Sequence, residues 1–260
     1  MLEPDGSTYV QSLARGLAVI RAFGAERPRL SLSDVARATA LTRASARRFL
    51  LTLESEGYVR ARDGRFELTP RVLELGFSYL SAQSLPEVAQ PHLEALSHAV
   101  GESSSASILD GWDIVYIARV PTRRIMSVGI TIGTRFPAYV TSMGRVLLSS
   151  LSAAERDTFL GGFRGEQFTP RTVVDPAALR AELDRVATQG WSLVDGELET
   201  GLRALAVPVT RGSATVAAIN VSMPATDEDA GIQALRLLPA LQDAAAAISH
   251  DLALTPPRVE

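Results

Sequence analysis

At 260 residues the chain is long enough for about two domains of roughly 150 residues, and 46% hydrophobic against 21% charged residues is ordinary globular composition. The absence of cysteine excludes disulfides, thiolate catalysis, zinc fingers and iron–sulfur clusters; His92, His98 and His250 lack metal-ligand spacing; and 26 arginines without one lysine exclude Walker A, Schiff-base and kinase lysines. No apolar run reaches the roughly 18 residues of a membrane span and residues 1–8 are polar and acidic, so a cytoplasmic protein with no metal or cofactor is expected.

The net charge of −3 averages two unlike parts. Residues 9–72 hold 12 Arg against 6 acids, and residues 81–260 hold 14 Arg against 20 acids. A basic end of this kind points toward nucleic acid, with an acidic remainder.

In chain order, Leu13, Leu17, Ile20 and Phe23 share one face of a helix expected over 10–25, which the segment ending at Pro28 stops. Ser31 and Asp34 form a capping-box pattern opening a short helix with Leu32, Val35 and Ala36 inward. After a break at Ala40-Leu41, Thr42 caps a second helix whose Ala46, Phe49, Leu50 and Leu53 recur at helical spacing until Gly57. Two short helices and a tight turn make a helix-turn-helix, and the strands on either side of Asp63-Gly64 make a hairpin, hence a wing. Thr69-Pro70 opens a linker helix.

A further helix spans 85–100, interrupted near Pro91; then strands 103–109 and 112–120 pair across Asp110-Gly111, and 125–132 is a third strand. Helices follow over 141–151, from the Ser152/Glu155 cap, and from Asp175-Pro176 to Gly190. Strands at 191–194, 205–209 and 215–222 and a terminal helix over 229–252 complete the reading.

The helix after Thr42 presents Arg43, Ser45, Arg47 and Arg48 opposite its apolar face, suiting the major groove, where arginine bonds guanine bidentately. Thr42 and the helix start suit a phosphate, and Arg60, Arg62 and Arg65 of the wing suit the DNA backbone or the minor groove. A winged-helix protein-interaction module with a solvated basic face is the alternative. In the second domain no GxSxG, GxGxxG or Ser–His constellation occurs, leaving only Asp195, Glu197 and Glu199 for carboxylate chemistry, and an acidic loop capping backbone amides explains them better. A ligand pocket is the stronger reading: Arg123, Arg124 and Arg135 are candidates for a carboxylate, the Thr-Ser-Met-Gly helix start for an anion, and Met126, Val128, Phe136, Tyr139 and Met143 for an apolar wall.

The blocks SLARGLAVIRAF, LSLSDVARATALTRASARRFLLTLESEGYV, LTPRVLELG, GTRFPAYVTSMGRVLLSSL and QGWSLVDGELETGLRALAVPV together resemble the IclR family of bacterial transcriptional regulators over 10–252. Two departures stand out: Ala40 replaces a glycine common in the family's turn, implying a different turn geometry, and an acidic pair is split as Asp195-Gly196-Glu197. The resemblance implies an α+β chain: a winged helix-turn-helix over 8–68, a linker helix over 69–82 and a GAF-like effector domain with an antiparallel sheet over 83–254. It also implies dimers or tetramers on double-stranded operator DNA, and pocket elements at Ser142, Met143, Gly144, Asp195, Ala204, Asn220 and Ser222. The segment RVPTRRIMSVGITIGTRFPAYVTSMGRVLL resembles the subgroup controlling protocatechuate, 4-hydroxybenzoate and β-ketoadipate catabolism, so an aromatic or dicarboxylic acid effector is expected. A different organic acid is the alternative.

Overall fold

The computed structural model describes residues 9–24, 26–75, 85–122 and 129–254, in two compact units, Met1–Ala82 and Gln83–Glu260. In the first, helices α1 (Gln11–Arg21), α2 (Leu32–Ala38) and α3 (Arg43–Ser55) are followed by strands β1 (Val59–Arg62) and β2 (Arg65–Leu68). Val19, Leu30, Val35, Ala36, Ala46, Leu50 and Val59 form its core.

The expected stripe on α1 needs correction. The helix ends at Arg21, where the chain folds into a paired bridge between Gly24 and Arg27; Phe23 of the expected stripe packs against the core, but the buried anchor is Val19, and Leu13 and Leu17 are 63% and 44% exposed. The α2 capping box forms as expected: Asp34 N–H donates to Ser31 Oγ, and Ser31 N–H to the Asp34 carboxylate.

At the other end of α2, Leu41 N–H reaches Ala36 O and Ala40 N–H reaches Arg37 O, the two bonds of a Schellman motif. Ala40 sits in its left-handed position at φ 54°, so the turn keeps the geometry a glycine would adopt, contrary to the expected different geometry. Thr42 caps α3, Ala46 and Leu50 turn inward, and Gly57 at φ 79° follows the helix end. In the wing, Asp63 and Gly64 have φ of 52° and 73°, both positive as a two-residue type I′ hairpin requires. Thr69 caps a 3₁₀ turn, Pro70–Val72. Residues 76–82 of the expected linker helix lie outside the described residues.

The second unit opens with α4 (Leu85–Val100), which runs on through Pro91 instead of breaking there; Ala89, Leu93 and Leu96 on either side are buried in one core and hold it together. Strands β3 (Ser103–Asp110), β4 (Asp113–Val120) and β5 (Arg135–Pro137) precede helices α5 (Ser142–Ser149), α6 (Ala153–Gly161) and α7 (Pro176–Gln189). Strands β6 (Ser192–Asp195), β7 (Leu202–Arg211), β8 (Ala214–Pro224) and helix α8 (Ala230–Leu254) follow. The six strands make one antiparallel sheet in the order β5-β4-β3-β8-β7-β6.

The third strand expected over 125–132 is corrected: 129–132 is not strand, 125–128 lies outside the described residues, and the strand beside β4 is Arg135–Pro137. One apolar cluster joins the sheet to α4 and α8, the other joins its opposite face to α5, α6 and α7. Asp175 caps α7 and Gly190, at φ 81°, closes it, as the sequence predicts. Among the described residues no helix is long and apolar enough to cross a membrane.

Candidate functional site

Thr42 Oγ1 accepts from Ser45 N–H and donates to Ser45 Oγ, so both hydroxyls stand at the first turn of α3. Burying Ala46 and Leu50 leaves Arg43, Arg47 and Arg48 exposed, none in an ion pair among the described residues. In the wing Arg62 lies directly opposite Arg65, a like-charge cross-strand pair whose repulsion is offset in part by the Asp63 carboxylate 3.8 Å from Arg62 Nε. Arg60 departs from expectation. Its Nε bonds Glu67 on the facing strand, and Glu67 also accepts from Arg29, so Arg60 is engaged within the fold. These two guanidiniums hold the Glu67 carboxyl below the usual glutamate range.

In the second unit the start of α5, the end of β6, the loop after it and strands β4, β7 and β8 enclose a cavity of about 20 Å³, room for one water molecule. Its polar lining is Tyr116, Thr141, Ser142, Asn220 and Ser222; Val140, Val194, Leu198, Leu202 and Ala204 supply the apolar remainder. Thr141, which lines this space, caps α5, its Oγ1 accepting from Gly144 N–H. Asn220 Nδ2 donates to Ser222 Oγ at 3.1 Å. Asn220 Oδ1 and Ser142 Oγ, both buried, have no hydrogen-bond partner among the described residues. Burial pushes the Tyr116 phenol up to about 12, so it remains a neutral donor near neutral pH.

Of the residues singled out from sequence, Ser142, Ala204, Asn220 and Ser222 meet in this cavity. Met126, Val128, Arg123 and Arg124 lie outside the described residues. Arg135 is corrected: on the exposed edge strand it bonds the carboxylates of Asp110 and Asp113 and the Asp110 carbonyl, which raises its pKa and leaves it away from the cavity. Tyr139 is also corrected, since its hydroxyl donates to Glu166 O and its ring packs edge-on against Phe163. Met143 is buried with its sulfur accepting from Ser107 Oγ and is not among the residues that line the cavity. Gly144 serves close packing, because a Cβ there would overlap the Ala138 carbonyl.

The acidic loop resolves into ion pairs. Asp195 is tied by Arg203 at 2.9 Å and Arg171 at 2.6 Å, so it does not reach the cavity. Glu197 caps Val173 N–H at 3.0 Å and accepts from Arg145 at 2.6 Å. Sequence reasoning missed Arg145, the largest fully buried side chain among the described residues, whose Nε also donates to Tyr139 O and whose Nη1 lies 3.5 Å from Glu182. A charged residue inside the apolar helix pattern of α5 was the available signal.

A winged helix-turn-helix with an unneutralised basic recognition face, carried in one chain with a sheet-built unit enclosing a polar-lined cavity, defines a DNA-binding transcriptional regulator. Residues 12–63 match the IclR helix-turn-helix domain and residues 77–250 the bacterial transcriptional regulator IclR C-terminal domain. The chain belongs to the IclR family of transcriptional regulators and is not an enzyme.

The chain is 40% identical over 252 residues to the Pca regulon regulatory protein of Pseudomonas putida, covering 96% of this chain and 86% of that one. It is 38% identical over 218 residues to the p-hydroxybenzoate hydroxylase transcriptional activator of Acinetobacter baylyi, covering 82% and 80%. Among solved structures, a protein of Rhodococcus sp. RHA1 described as a transcriptional regulator shares 58% identity at a TM-score of 0.85, covering 95% of this chain and 99% of that one. An IclR homolog from Microbacterium hydrocarbonoxydans, complexed with 4-hydroxybenzoate, shares 26% identity at a TM-score of 0.84, covering 94% and 100%.

Proposed function

We propose that this regulator controls aromatic-acid catabolism of the β-ketoadipate type, binding a palindromic operator through its winged helix and a small organic acid in the cavity of its second unit. The observation that carries the effector reading is a pair of buried polar atoms without a partner among the described residues, Ser142 Oγ and Asn220 Oδ1, on side chains that line one cavity beside a helix start. Such groups are costly unless a ligand or water satisfies them. The aromatic-acid reading draws on the relatives named for the Pca regulon and p-hydroxybenzoate hydroxylase, and on the homolog holding 4-hydroxybenzoate.

On DNA, Arg43, Ser45, Arg47 and Arg48 serve the major groove, the start of α3 at Thr42 takes a phosphate, and Arg62 and Arg65 grip the backbone beside it. The protein works in the cytoplasm as a homodimer or homotetramer, with a reading head over 8–68, a linker over 69–82 and an effector domain over 83–254. Regulation requires the acid to bind two arrangements of the protein unequally, since equal affinity shifts nothing. The test is binding to the operator region upstream of its own gene at fixed salt, titrated with protocatechuate, 4-hydroxybenzoate and β-ketoadipate. One of these acids is expected to change operator affinity about 5–150-fold. Specific DNA binding indifferent to all three refutes the aromatic-acid reading, and no specific binding refutes the operator assignment.

A further inference from the structure

The cavity lining contains no cation, and Arg135 is engaged by two aspartates, yet an organic acid in this space needs a counter-charge. The sheet supplies one. A bulge makes Ile117 an extra residue: Ser107 pairs with Tyr116 and Ala106 with Ala118, so Tyr116 and Arg119, though three apart, face the same side. Ser105 pairs with Arg119 on one flank and Asn220 on the other, making the cross-strand row Arg119, Ser105, Asn220 on the face that bears the cavity. Two strand spacings, about 10 Å, separate the backbones of Arg119 and Asn220, a gap that an extended guanidinium and a benzoate-sized ligand bridge.

Arg119 is poised for such a partner. Its Nη1 donates to Ser105 Oγ at 3.0 Å, Nε and Nη2 make no hydrogen bond, and no carboxylate pairs with it among the described residues. The side chain is half-buried, and burial lowers its pKa, as for a cation lacking its counter-charge. Nε and Nη2 form the fork that grips a carboxylate through two parallel bonds.

We infer that Arg119 is the counter-ion of the effector carboxylate, so that the site selects anionic over neutral aromatic ligands. The inference rests on the effector role proposed for the cavity. Its test is titration of the full-length wild type, Arg119→Gln and Arg119→Lys with 4-hydroxybenzoate, protocatechuate and the neutral amide of each. Arg119→Gln is expected to weaken acid binding roughly 10–100-fold while leaving the amides within about twofold, with Arg119→Lys recovering much of the loss. Unchanged acid binding in Arg119→Gln overturns the assignment, as does equal loss of acid and amide, which marks a shaping role only. A wild type that binds neither acids nor amides refutes the effector reading itself and this inference with it.

Discussion

Ala40→Gly tests whether the turn of the reading head holds an alanine in a conformation that disfavours a side chain. Ala40 lies at φ 54°, fixed by the Leu41 to Ala36 and Ala40 to Arg37 hydrogen bonds, while Leu41 and Ala36 join the core beside it. The Cβ costs about 1–2 kcal/mol in this left-handed region. Glycine removes that cost but gains roughly 0.4–1 kcal/mol of unfolded-state freedom, leaving a net stabilisation of about 0.5–1 kcal/mol. In a unit of this size that raises the unfolding midpoint by about 2–8 °C. The assay is calorimetric or circular-dichroism melting of the full chain, following the transition of the reading head, with operator affinity measured alongside. Ala40→Val, which adds β-branching at the same φ, is expected to lower the same midpoint. A glycine variant no more stable than the wild type would show that Ala40 is not held at positive φ, and the reasoning would fail.

Arg145→Met leaves Glu197 buried without its cation and is expected to cost about 3–5 kcal/mol in urea unfolding; adding Glu197→Leu should recover much of it, and a double variant no better than the single one would show that the pair is not the source. Glu67 titrates below the usual glutamate range in the folded protein, so its stabilisation is full above that range and is lost as pH falls through the folded value. Glu67→Gln should therefore flatten the acid side of the stability profile, and an unaltered profile contradicts the Arg29–Glu67–Arg60 arrangement. On operator DNA, Arg47→Ala should cost roughly 1–3 kcal/mol and relax base preference, whereas Arg62→Ala should weaken binding to all sequences alike and reduce the salt slope by about one. Equal, sequence-independent losses for both would refute the division of roles.

The reading head was legible because its signals are local. Ser31 with Asp34, Thr42, Asp63-Gly64 and Gly57 each satisfy a backbone requirement within a few residues, and each stands where the pattern puts it. Which face of α1 meets the core was not legible, since Leu13 and Val19 are equally apolar and a tertiary contact chooses between them. In the second unit, caps and strands could be read but not the site's charges. Arg135 looks as available as any arginine until the β3–β4 hairpin brings Asp110 and Asp113 to it. Strict alternation along β4 would set Arg119 on the face opposite Tyr116. Only the bulge at Ile117 reverses that phase, and a bulge depends on cross-strand register that one strand's sequence does not encode.

The small size of the cavity bears on how this regulator would tell one acid from another. A space for one water cannot admit a substituted benzene ring unless its walls part. Those walls are the start of α5 at Ser142 and the loop at Leu198, and the Arg145–Glu197 pair lashes the same two pieces together a few residues further on. For an acid that occupies this cavity, recognition and rearrangement would be one event: the apparent affinity would be the intrinsic affinity scaled by the fraction of molecules already open. A tighter lashing would yield a more discriminating but less sensitive regulator, and a looser one the reverse.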